Sequence, residues 1–121
     1  MNQFKNLKVW QKALDLVVQT YKLTDKFPDK EKFGLTNQIY RGAVSIVSNI
    51  AEGAGRNSSK EFNNFLGIAL GSTCEFETQC IVANRLKYIS DSELSEIPSL
   101  MEEIQKMIFG LQKNIKQSVI V

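Results

Sequence analysis

Arg41, Ser45, Asn49 and Glu52 follow one another at intervals of 4, 4 and 3 residues, so on a helix they make one polar column. Ser72, Glu75 and Gln79, at intervals of 3 and 4, make a second. A guanidinium, a carboxylate, an amide and a hydroxyl gathered in this way could bind an anionic substrate or move a proton. They are equally the parts of a structural hydrogen-bond network, within one molecule or between copies. The carboxylates lack a paired-acid geometry and no nucleophile has a base beside it, so the structural reading is preferred. If the turn at Gly53–Ser58 sets the two helices antiparallel, Arg41 lies within about a turn and a half of Glu75 and can reach it as an ion pair.

A second chemistry is phosphate binding. Lys5, Lys8, Lys12, Lys22 and Lys26 share the outer column of the first helix, and Arg56 with Lys60 flanks the next turn but one. Ten basic and five acidic side chains lie in residues 1–60, against five and eight in residues 61–121. The whole chain nets only +2. Lysines on an outer face are also ordinary solvated surface. No aromatic is interleaved among them as a stacking platform, and no RNA-recognition or zinc-finger motif is present.

Composition removes other chemistry. With no histidine, the Ser-His-Asp triad, the Cys-His pair and every histidine metal site are excluded. Two cysteines, Cys74 and Cys80, are too few for a four-cysteine zinc site, and on one helix they point about 120° apart, so they cannot bridge. No cofactor, metal or catalytic residue is expected. The start, Met1-Asn2-Gln3-Phe4-Lys5, has no apolar signal region, and no apolar run approaches the roughly 20 residues of a membrane span. Unpaired thiols then point to the reducing cytoplasm. At 121 residues, with 43% hydrophobic and 23% charged side chains, the chain is long enough for one domain with one core.

The elements that must position these residues read as helices. The first is expected over about 6–26, with Leu7, Trp10, Leu14, Val17, Tyr21 and Thr24 as its core seam and Pro28 ending it. The second, about 35–53, buries Leu35, Ile39, Ala43, Ile46 and Ile50, and Gly53 and Gly55 supply a left-handed cap. Ser58 and Glu61 open the third, about 59–88, whose seam runs Phe62, Leu66, Ala69, Thr73, Phe76, Cys80, Ala83 and Lys87. Ser90 and Glu93 repeat that signal for the fourth, about 92–117, which Pro98 kinks or restarts near Ile97. Its seam is Ile97, Met101, Ile104, Ile108, Leu111 and Ile115, with lysines late (Lys106, Lys113, Lys116) to suit the helix dipole. Gly42, Gly67 and Gly71 cost helix propensity, and close approach of helices would offset it. Short connections make the fold an all-α, antiparallel up-down-up-down four-helix bundle. Apolar residues off the seams, Leu16, Val18, Val47, Phe65, Ile81 and Val82, predict a homo-oligomer.

The run Asn49-Ile50-Ala51-Glu52-Gly53, then Gly55-Arg56, Glu61-Phe62 and Phe65-Leu66, resembles the signature of one bacterial family. Ile68-Ala69, Gly71-Ser72, Glu75, Glu77 and Gln79 fit it too, as do Val9-Trp10, Ala13, Phe27-Pro28, Phe33-Gly34-Leu35, Gln38 and Arg41. It is the four helix bundle protein group, also called the 23S-rRNA intervening-sequence proteins, and the likeness covers residues 4 to about 115. Tyr40-Arg41-Gly42-Ala43 departs from the pattern, lacking a further arginine before Arg41 and having glycine in place of alanine. The resemblance implies a ring-like homopentamer, some members being encoded inside intervening sequences of large-subunit rRNA genes. A related branch, accessory proteins of diversity-generating retroelements, binds nucleic acid and a reverse transcriptase. The resemblance carries over no catalytic residue. Two functions follow: a non-catalytic oligomer that binds RNA or single-stranded nucleic acid, with a reverse transcriptase or other protein as a further partner, or a structural, protein-interaction oligomer with no nucleic-acid role.

Overall fold

Ser58 and Ser90 start helices because each hydroxyl accepts a backbone N–H that the first turn leaves orphaned. Glu61 N–H reaches Ser58 Oγ at 3.1 Å, and Glu93 N–H reaches Ser90 Oγ at 3.0 Å. At Ser90 the box is reciprocal, its own N–H donating to Glu93 Oε1 at 2.8 Å. The computed structural model describes residues 4–120; Met1–Gln3, Val121 and the side chains of residues 116–120, Lys116 among them, lie outside the described residues. Among those described there are helices and no strand: α1 Lys8–Thr24, α2 Leu35–Ala54, α3 Ser59–Arg85, a short α4 Asp91–Ser95, and α5 Ile97–Ile120. Single 3₁₀ turns, Phe4–Asn6 and Asp29–Glu31, precede α1 and α2. Pro98 divides α4 from α5, taking the second position of α5, where a missing N–H costs little.

Three of the four apolar seams lie where their period puts them. Leu35, Ile39, Ala43, Ile46 and Ile50 of α2, Leu66, Ala69, Thr73, Phe76, Cys80 and Ala83 of α3, and Ile97, Met101, Ile104 and Ile108 of α5 are all buried. Leu111 and Ile115 pack on the edge of this core. α1 differs. Its buried face is Val9, Ala13, Leu16, Thr20 and Thr24, whereas Leu14 and Tyr21 of the expected seam are 41% and 57% exposed. Two adjoining stripes on α1 share helical spacing, and the inner one includes threonines whose polarity hides it. Thr20 Oγ1 donates to Leu16 O at 2.7 Å and Thr24 Oγ1 to Thr20 O at 3.0 Å, so neither hydroxyl is unsatisfied in the core.

The glycines also differ from expectation. No described glycine has a positive φ, and Gly55 follows α2 at φ −83°. Gly53 instead makes room: a β-carbon there would lie 2.7 Å from Phe65 Cβ and 3.0 Å from Phe62 Cδ1. The left-handed residue is Lys87, at φ 67°. It ends α3 at Arg85, short of the expected 88, as Lys87 N–H bonds Asn84 O and Tyr88 N–H bonds Ala83 O, both at 2.9 Å. Lys87 is therefore exposed and outside the seam. A β-carbon on Gly42 would meet Gln79 Oε1 at 3.2 Å, but Gly67 and Gly71 face open space, with nothing within 4 Å. Close approach accounts for Gly42 and Gly53 and not for Gly67 or Gly71.

Alanine substitutions should separate the two kinds of glycine. Gly53→Ala overpacks the Phe62–Phe65 contact and should lose about 1–3 kcal/mol. Gly67→Ala and Gly71→Ala should each gain about 0.5–1 kcal/mol of helix propensity. Urea denaturation checks both, and a stabilised Gly53→Ala would overturn the packing argument.

Candidate nucleic-acid interface and polar network

α2 and α3 touch along their length, and their contacts run in opposite chain directions. Gly53 meets Phe62 and Phe65, Ser45 meets Ser72, and Gly42 meets Phe76 and Gln79. Midway, part of the expected polar network forms. Asn49 Nδ2 donates to Ser45 O at 2.7 Å and to Ser45 Oγ at 3.1 Å. Ser45 Oγ and Ser72 Oγ lie 2.8 Å apart, and Ser72 Oγ donates to Ile68 O at 3.1 Å. With Ser72's proton on Ile68 O, the inter-serine proton must come from Ser45. The chain then reads Asn49 amide, Ser45 hydroxyl, Ser72 hydroxyl, backbone carbonyl. It ends on a carbonyl and contains no base, so its chemistry is that of a tie between helices.

The charged members stand apart from that tie. Arg41 and Glu75 are both exposed, and among the described residues they form no ion pair. Glu75 only accepts from Gln79 Nε2 at 3.4 Å. Gln79 Oε1, turned toward Gly42, is buried without a hydrogen-bond partner. Glu52 belongs to a different group, bound at 2.7 Å by Arg56 Nη2. Arg56 also lies 3.8 Å from Glu61 and 4.9 Å over the Phe65 ring, which pins the α2–α3 turn.

The basic column is split in the same way. Lys12 Nζ pairs with Glu103 of α5 at 2.8 Å, and Lys26 pairs with Glu93. Lys5, Lys8, Lys22 and Lys60 are exposed, with no ion pair among the described residues. Spacing puts the five lysines on one side of the expected first helix, but α1 holds only Lys8, Lys12 and Lys22; Lys5 lies in the 3₁₀ turn before it and Lys26 in the turn after it. The spacing carried no sign of the acids that α4 and α5 would bring to them.

One structural contact escaped the sequence altogether. Glu31 joins the α1–α2 connection to both neighbouring turns: Oε1 accepts Leu35 N–H at 3.1 Å and Oε2 accepts the Tyr88 hydroxyl at 3.0 Å. The Tyr88 ring packs on Phe27 at 5.3 Å. Leu35 N–H, then the Tyr88 hydroxyl, hold the Glu31 carboxyl below its ordinary value, and Tyr88 is raised by burial and by Glu31. Glu93 is lowered first by Lys26 and then by the Ser90 N–H. Among the described residues no helix is long and apolar enough to cross a membrane, and no three Cys, Asp or Glu side chains gather where they could hold a metal ion.

These features define an all-α protein of four long helices with a hydrogen-bonded seam between α2 and α3. The chain belongs to the 23S rRNA-intervening sequence protein family, whose model matches residues 5–110. It is also similar to a crystal structure from Bacteroides thetaiotaomicron VPI-5482, a protein of unknown function from the S23 ribosomal protein family. Identity there is 30%, over 87% of this chain and 95% of that one, with a TM-score of 0.79. Among curated proteins, none matches the chain.

Two measurements follow. Ser45→Ala and Ser72→Ala should be coupled by about 0.5–1.5 kcal/mol in a double-mutant cycle, whereas Arg41→Met and Glu75→Gln should add within about 0.5 kcal/mol. Coupling in the second pair and none in the first would reverse this assignment. Glu31 and Glu93 have folded values below the unfolded 4.5, so their contribution is complete above that pH and is lost as pH falls through the lowered values. Glu31→Gln should therefore flatten the acid limb of the stability–pH curve, and an unchanged limb would remove the Glu31 contacts from the account.

Proposed function

We propose that this chain is a non-catalytic module: an antiparallel up-down-up-down bundle that assembles into a ring-like homopentamer and binds RNA or other single-stranded nucleic acid. The observation that carries the reading is the second apolar stripe of α1. Leu14 and Val18, 41% and 54% exposed, continue a helical spacing through half-buried Trp10 and Val17, and such a stripe calls for another helix. Ile68 and Val82 of α3 and Phe109 of α5 are exposed as well. Apolar surface on separate helices suits a head-to-tail contact between copies, the kind that closes into a ring.

Lys5, Lys8 and Lys22 are the phosphate contacts in this reading, and a ring multiplies their modest field. Exposed Cys74 and buried Cys80 are free thiols, which suits the cytoplasm. Burial pushes the Cys80 thiol up to about 12, which argues against a nucleophile there. A reverse transcriptase or other protein remains the further partner the resemblance implies. The ion pairs that neutralise Lys12, Lys26 and Arg56 favour a second reading, an oligomer with a purely structural role.

Light scattering coupled to gel filtration should give about five times 13.7 kDa, and Val18→Glu should lower that mass while leaving the helical circular dichroism intact. A monomer at micromolar concentration would overturn the assembly. Binding to single-stranded RNA should weaken with salt at a log-log slope of about −0.7 per phosphate neutralised, and Lys5, Lys8 and Lys22→Gln together should flatten it by about 2. Absence of binding at low salt leaves the structural oligomer.

A further inference from the structure

Phe33 is 88% exposed, the most exposed large apolar side chain described, and it sits in the connection between α1 and α2. Lys32 Nζ lies 5.7 Å from its ring centroid, so one side of the ring carries a cation while most of its surface is open. Lys32 also lines an adjoining cavity of about 300 Å³, together with Tyr21, Phe27, Tyr40, Asp25 and Asp29. Tyr21 and Tyr40 stand with ring centroids 4.5 Å apart, tilted by 53°, at its wall. Neither Asp25 nor Asp29 holds an ion pair among the described residues.

This is the aromatic platform that the lysine column of α1 lacks. We propose that the α1–α2 connection binds one dinucleotide step of a single strand, with one base in the aromatic cavity, the next on Phe33, and the linking phosphate at Lys32. The inference rests on the nucleic-acid reading above and adds a specificity to it. Unstacked bases are commonly held between aromatic faces and read along their Watson–Crick edges. The polar groups lining the cavity include the carboxylates of Asp25 and Asp29, which accept and cannot donate, beside Thr36 and Asn37, which can do both. Guanine presents an N1–H and an N2 amino group side by side, so it matches one carboxylate with two hydrogen bonds. Uracil offers a single N–H flanked by carbonyls that a carboxylate repels. The two aspartates therefore favour guanine over uracil in the cavity.

Fluorescence anisotropy with two labelled hexaribonucleotides, all-uridine and the same with one internal guanosine, tests this. Wild-type protein should prefer the guanosine probe. Phe33→Ala, at a position too exposed to disturb the fold, should weaken binding of both probes about tenfold and leave the salt slope unchanged, because it removes stacking and no charge. Asp25→Asn with Asp29→Asn should abolish the preference for guanosine. Lys5, Lys8 and Lys22→Gln should flatten the slope and keep the preference. If the wild type binds both probes and neither Phe33→Ala nor the aspartate variant changes anything, the site is overturned and the nucleic-acid reading stands. If it binds neither probe at low salt, that reading falls and this inference with it.

Discussion

The close approach of α2 and α3 at Gly53 fixes the rest of the molecule. A β-carbon on residue 53 would lie only 2.7 Å from that of Phe65, so the α2 backbone packs directly on an α3 side chain at that end. The register then follows down the pair: Ser45 comes opposite Ser72, and Gly42 opposite Phe76 and Gln79. Packing in a close-packed interior is short-ranged and steep, so a shift at one end would be felt along the whole contact. α1 and α5 lie against this pair. Their own link is thinner, and across it Lys12 meets Glu103.

That hierarchy explains which parts of the fold are legible in the sequence. Capping is local: Ser58 with Glu61 and Ser90 with Glu93 need only a three-residue reach, so composition and spacing suffice. The seams of α2, α3 and α5 are legible because each has one apolar stripe. α1 has two, and its period is the same for both. Choosing between them requires knowing that Ala13 and Thr20 fit against neighbours where Leu14 and Tyr21 do not, which is a property of the partner helices. The end of α2 lies within a residue of the expected 53, but its glycines do not form the expected left-handed cap, for a related reason. Glycine serves both left-handed backbone and close approach, and only the position of Phe62 and Phe65 decides.

The polar column shows the same limit at the level of a site. A spacing of 4, 4 and 3 puts Arg41, Ser45, Asn49 and Glu52 on one side of α2, but the column is wide enough to straddle an edge. Its middle, Ser45 and Asn49, turns into the contact with α3, and its ends, Arg41 and Glu52, stay in solvent. Hydroxyls and an amide are inexpensive to bring together at a half-buried seam, since each finds a partner there. An arginine and a glutamate would have to be desolvated to meet in the same place, and the pairing seldom repays that cost. Physical economy thus selected the neutral members.

The charge asymmetry of the chain is spent in a comparable way. Basic side chains of α1, of the turn after it and of the α2–α3 turn meet acids carried mostly by the second half, so Lys12, Lys26 and Arg56 link helices and turns. Each pair is at the surface: the side chains of Lys12 and Glu103 are 33% and 54% exposed. Exposed pairs of this kind are worth only about 0–1 kcal/mol and weaken with salt. On the nucleic-acid reading proposed above, a polyanion along α1 would compete with Glu103 and Glu93 at little cost to the fold. The lysine column is thus partly neutralised within the bundle, and on that reading Lys5, Lys8 and Lys22, which hold no ion pair among the described residues, would make the first contact.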